Sequence, residues 1–227
     1  MMNDEWKCKS RPGSRSSIQH SAFSIIFTLV CYVAAGPSLG LFIGGFFVAA
    51  FLAPAASLRG KQLLAVVAGI AGVWLIAIFQ TSDTFWEWAQ LVVVLASFSF
   101  GLAALAFYYE KFGVHPVFAG ALATVLGLAW LTWPIWLSPE FAGIPEWVID
   151  RMVSFHPPLV ANGVLANEPP WTERFLAYRL TRLDQDTPIT LPTNIWPCVG
   201  VNVGIGVVLM VLGRGIGGFL RWRRRRG

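Results

Sequence analysis

The chain has 227 residues, of which 56% are hydrophobic and 13% charged, and its mean hydropathy is +0.61. A soluble domain carries about 25% charged residues, so this composition excludes an ordinary water-facing globule. The net charge of +5 does not indicate nucleic acid, because the excess sits in one terminal cluster, Arg221, Arg223, Arg224, Arg225 and Arg226, directly behind an apolar stretch. A basic block there is expected to anchor to anionic lipid headgroups on the cytoplasmic side, and no aromatic-and-basic binding surface accompanies it.

Residues 1–17 are polar and basic and are expected to form a cytoplasmic tail. The first apolar block, 18–56, is too long for one span at a rise of about 1.5 Å per residue across a hydrocarbon core of about 30 Å. Gly36-Pro37-Ser38 in its middle combines a helix stop with a helix start, which predicts two helices, 18–35 and 38–55. The third span is expected over 62–80, the fourth over 87–108 and the fifth over 116–137, beginning at Pro116. A mostly polar stretch, 138–196, precedes a sixth span over 197–214 and a basic tail over 215–227. No Asp, Glu, Lys or Arg occurs in 18–58, 62–82 or 112–139, as hydrocarbon-embedded helices require. The expected fold is therefore all-α: a polytopic bundle of six transmembrane helices with a helical outer segment between spans five and six.

Orientation follows from the basic residues. With the N-terminus inside, 13 of the 17 lysines and arginines fall on inner segments and four, Arg151, Arg174, Arg179 and Arg182, on outer ones. Both termini are then cytoplasmic, and the protein is a multi-pass component of the cell membrane. An alternative reading takes the first block as a signal peptide ending near Val33-Ala34-Ala35, which would leave five spans. Trp86, Trp88, Trp133, Trp136, Trp147, Trp171 and Trp196 fall at or beyond the outer boundary, where an interfacial belt belongs. Small residues recur four apart at Gly40/Gly44, Ala65/Gly69, Ala123/Gly127 and Gly200/Gly204, a spacing that lets helix backbones approach closely and permits homo-oligomers.

Within the outer segment, residues 145–155 read as a short helix with Ile144, Val148, Met152 and Phe155 on its apolar face. His156-Pro157-Pro158 is expected to end it. A second amphipathic helix is expected over 171–183, with Arg174 and Arg179 on its polar side. Both suit the outer interface. Asp150, His156, Asn162, Arg174 and Arg179 are the candidate functional residues here. Asp150, Ser154 and His156 invite a nucleophile-and-base reading, but residues two apart seldom face each other and no glycine elbow presents the serine; a polar helix end is the simpler account.

No metal or cofactor is expected: His20 and His115 lie at the inner side and His156 at the outer. The third cysteine, Cys8, is in the tail; Cys31 and Cys198 both lie toward outer span ends, which makes a disulfide between them geometrically open. No ionisable residue falls in the middle of any expected span. That argues against proton-coupled carriers, pumps and voltage sensors. Three classes remain: a permease energised by another subunit, a non-catalytic subunit of a larger membrane complex, and a surface enzyme using the outer segment.

The order of spans, the cytoplasmic ends and the long connection between spans five and six resemble the permease subunits of type-2 ABC exporters. The segment Phe155-His156-Pro157-Pro158-Leu159-Val160-Ala161-Asn162 is similar to the proline-containing approach to that family's outer helices. The connection between spans two and three is shorter than the family's, and no amphipathic helix precedes span one. The resemblance implies export of a lipid-like or polymeric substrate, with a separate ATPase subunit as partner.

Overall fold

The computed structural model describes residues 39–56, 60–78, 85–137, 144–165 and 191–226. These form seven helices, with no strand among the described residues: α1 (Leu39–Ala56), α2 (Gly60–Ile78), α3 (Phe85–Lys111), α4 (Pro116–Leu137), α5 (Glu146–Phe155), α6 (Pro157–Leu165) and α7 (Trp196–Arg226). The fold is all-α. Three stretches are long and apolar enough to cross a membrane, Phe85–Lys111, Pro116–Pro134 and Trp196–Gly215, and two shorter apolar stretches lie in α1 and α2. The expected first span, Cys31 and the amphipathic helix over 171–183 lie outside the described residues.

Helix α3 is the axis of the bundle, with α1, α2, α4, α6 and α7 all packed on it. Its C-terminal end is closed by local chemistry. Gly113 takes a φ of 91°, a conformation that costs glycine nothing. From there Val114 N–H reaches Tyr109 O at 3.2 Å and Gly113 N–H reaches Glu110 O at 3.1 Å, which satisfies the last carbonyls of the helix. Pro116 then opens α4, where a missing N–H costs nothing, and His115 Nδ1 accepts the Val117 N–H at 3.4 Å. Four residues thus reverse the chain.

The core is aromatic. Phe42 and Phe46 of α1 lie 5.4 Å and 5.6 Å from the Trp74 ring of α2, and Phe46 meets Phe98 of α3 at 6.1 Å. Gly45 makes room: a β-carbon there would overlap the Trp74 indole. In lipid, where the tails are as apolar as leucine, such close packing rather than water exclusion holds helices together. Trp88 Nε1 donates to Ala71 O at 2.9 Å, joining α3 to α2.

Several expectations need correction. Trp86, Trp147 and Trp196 are exposed, whereas Trp133 is only 2% exposed and packs in the core. The buried face of α5 is Ile149 and Val153, with Ile144 and Met152 beside it; Val148 and Phe155 are only half-buried. The run at His156-Pro157-Pro158 ends α5 and also begins α6, whose nine residues are all buried. His156 takes the extended conformation (φ −91°, ψ 113°) that a residue before proline favours, and Pro157 then occupies the first helical position. Helix α7 does not stop near 214 but continues through the basic cluster to Arg226.

The small-residue seam also differs from expectation. Gly44, Gly200 and Gly204 meet no described atom within 4 Å of where a β-carbon would stand, so among the described residues nothing packs closely against them; for Gly40 only its helical backbone is described. The close approach of α3 and α7 uses other glycines: a β-carbon on Gly206 would strike the Phe100 ring, and one on Gly101 would lie 3.2 Å from Asn202 O. Gly127, a member of an expected pair, does pack, against Leu102 of α3.

Candidate functional site

Pro134 shapes the C-terminal end of α4. Without an N–H it cannot donate to the carbonyl of Trp130 four residues earlier, so that carbonyl needs a donor from elsewhere. His156 comes in beside it from the α5–α6 corner. Its Nε2 lies 3.1 Å from Leu131 O, the next carbonyl along that turn. Carbonyls only accept, so Nε2 carries the proton. The ring stands edge-on to Trp133 at 5.4 Å and to Trp130 at 6.2 Å. His156 is 2% exposed, and burial lowers its pKa from 6.5 to about 3, although the hydrogen bonds to Leu131 and Trp130 pull the other way. The imidazole is neutral, and its Nδ1 has no hydrogen-bond partner among the described residues.

The same corner is tied to α7. Cys198 Sγ donates to Phe155 O at 3.4 Å, and Asn202 Nδ2 donates to Cys198 O at 2.9 Å. Residues 155 and 156 therefore bridge from the C-terminal part of α4 to the N-terminal part of α7. Below that bridge the two helices separate, because each packs on α3 and they scarcely touch each other. The gap is a cavity of about 200 Å³, with Phe98 and Gly101 of α3 as its floor, Leu126 and Trp130 of α4 on one side and Asn202 and Ile205 of α7 on the other. Asn202 is its one polar side chain among the lining residues. Leu126 and Ile205 are 43% and 52% exposed, so the groove opens sideways between α4 and α7.

The candidate residues of the outer segment are only partly brought together. His156 is the centre of the corner. Asn162 is buried on α6. Asp150 lies half-buried on α5, and its backbone carbonyl accepts from Ser154 Oγ at 2.7 Å. Ser154 is thereby committed to its own helix and His156 to α4, so no nucleophile-and-base pair forms between them. Arg174 and Arg179 lie outside the described residues. Arg221, Arg223, Arg224, Arg225 and Arg226, expected to anchor to lipid headgroups, are on the last turns of α7. Among the described residues no three His, Cys, Asp or Glu side chains gather as a metal site would require.

Trp130, Pro134, Cys198 and Asn202 were not among the sequence candidates. Two of them carry a signal: Pro134 interrupts an apolar helix, and Asn202 is the lone amide in an apolar run from 199 to 213. Intramembrane polar groups of this kind recur at helix contacts and sites. Compared with known family models, curated proteins and solved structures, the chain matches none.

Proposed function

We propose that the chain is a six-span membrane protein with both ends in the cytoplasm, acting as the permease subunit of an export system energised by a separate ATPase. The observation that carries this reading is the groove between α4 and α7: apolar, open to the side, and roofed at its outer end by the α5–α6 corner. Such a site suits a lipid-like substrate taken from the bilayer rather than a polar solute taken from water. The distribution of charge supports it as well. Glu87, Glu110 and Lys111 sit toward the ends of α3 and Arg214 at the end of the apolar stretch of α7, and the stretches between carry no Asp, Glu, Lys or Arg, so an ion gradient has no coupling residue of that kind at membrane depth. Energy then comes from another subunit.

The low burial of α7 favours a second reading. Only 17% of its span-length stretch is buried, leaving a long apolar face for lipid or for a partner helix, as a non-catalytic subunit of a larger membrane complex would have. Purification in mild detergent through a tag after Gly227 separates the two. A stoichiometric cytoplasmic ATPase whose hydrolysis depends on this chain supports the permease. Recovery of cofactor-bearing membrane subunits, with no ATPase, sinks it.

A further inference from the structure

We propose that the α4–α7 groove holds one alkyl chain of an outer-leaflet lipid that carries a hydroxyl or amide N–H, and that this donor is accepted by Asn202 Oδ1. The inference deepens the permease reading by naming a ligand class, and it rests on the chain being membrane-embedded.

Size decides first what can enter. A volume of about 200 Å³ accommodates about seven groups the size of water, at roughly 30 Å³ each. An α-helix with side chains is about 10–12 Å across, so a partner helix does not fit inside the cavity, whereas a segment of one alkyl chain does. The lining agrees, since apart from Asn202 it consists of aliphatic and aromatic residues and glycine.

Asn202 then selects among chains. Its amide is oriented by the carbonyl of Cys198, which can only accept and therefore faces Nδ2, at 2.9 Å. The other amide atom, Oδ1, is turned toward Gly101 on the groove floor, 3.8 Å from where a β-carbon would stand, and takes no hydrogen bond from a described residue. An amide oxygen that faces an apolar groove without a donor is costly. Ordinary ester-linked phospholipid chains have acceptors only. A hydroxylated or amide-linked chain brings the missing donor. Its depth is suitable too: Asn202 is six residues into α7 from the exposed Trp196, which is about 9 Å below the interface at about 1.5 Å per residue. That is the level of the linkage region and first carbons of a lipid.

The test uses the full chain reconstituted in phosphatidylcholine vesicles with a trace of photoreactive lipid. Two probes carry the same diazirine-bearing chain, one through an amide and one through an ester, and adducts are mapped by mass spectrometry after irradiation. The amide probe is expected to label Leu126, Trp130 and Ile205 at least about ten-fold above Val211, which lies exposed outside the groove. Asn202→Leu should bring that labelling down to the level of the ester probe. Ile205→Trp, which fills the mouth at an exposed position, should abolish it, and Val211→Trp should leave it unchanged. Equal labelling of groove and Val211 marks annular lipid only and overturns the proposal, as does equal labelling by both probes. A protein that alkaline carbonate strips from the vesicles overturns the membrane reading itself, a separate failure.

Discussion

Replacing His156 by phenylalanine tests the corner most directly. The phenyl ring keeps the edge-on packing against Trp130 and Trp133 but cannot donate. The carbonyl of Leu131 loses the side-chain donor that His156 brings to it, which costs about 0.5–1.5 kcal/mol. His156→Ala adds the loss of the ring and should cost about 3 kcal/mol or more. The pH dependence has a definite sign. His156 in the folded protein titrates at about 3 instead of 6.5, so below 6.5 the unfolded state binds more protons and folding weakens as the pH falls, until the folded form itself titrates. The limiting slope is about 1.4 kcal/mol per pH unit, or about 2 kcal/mol between about pH 6.5 and about pH 5. Denaturation in mild detergent, followed by tryptophan fluorescence across that range, reads both effects. Wild type should lose this increment and His156→Phe should not. Parallel pH profiles, or a cost of less than about 0.5 kcal/mol for His156→Ala, would refute the account of the corner.

Glycine substitutions on α7 should split by face. Gly206→Ala drives a β-carbon into Phe100 and close to the Gly101 backbone and should cost about 1–3 kcal/mol; Gly204→Ala meets nothing and should gain about 0.5–1 kcal/mol from helix propensity, both read by the same denaturation. Gly163→Ala places a β-carbon on the Pro192 carbonyl, a backbone atom that cannot rotate aside, and should destabilise by about 2 kcal/mol or more; a stability within experimental error of wild type would show that α6 and residues 191–195 are not in contact. For topology, Thr193→Cys in a background lacking Cys8 and Cys31 should react with an impermeant maleimide on intact cells. His115→Cys, exposed at the α3–α4 turn, should react only after permeabilisation, and the reverse pattern would invert the orientation.

How much was legible beforehand differs from one element to the next. The bounds of the fourth and fifth expected spans agree with α3 and α4 within a few residues, because charge at the ends and an uninterrupted apolar run between them are visible in any one sequence. The corner at His156 was half visible. The two prolines marked a break, but the same residues that stop one helix start the next, and the nine residues that follow carry too little pattern to show it. The expected face of α5 was one residue out of register, since on a helix of ten residues neighbouring faces share most of their apolar side chains.

What the amino-acid sequence determined by itself is class and extent: an all-α chain, with long apolar helices whose ionisable residues are held to the ends. Hydrophobicity along the chain suffices for that, because lipid demands it of every exposed position. Which side of each helix is buried could be decided only by tertiary structure. Helix α1 is apolar all round, and in a helix without a polar face no periodicity distinguishes a residue that meets lipid from one that meets another helix. Gly204 and Gly206 are alike as letters; one looks into open space and the other holds α3 and α7 together, because only the packed bundle places Phe100 beside the second.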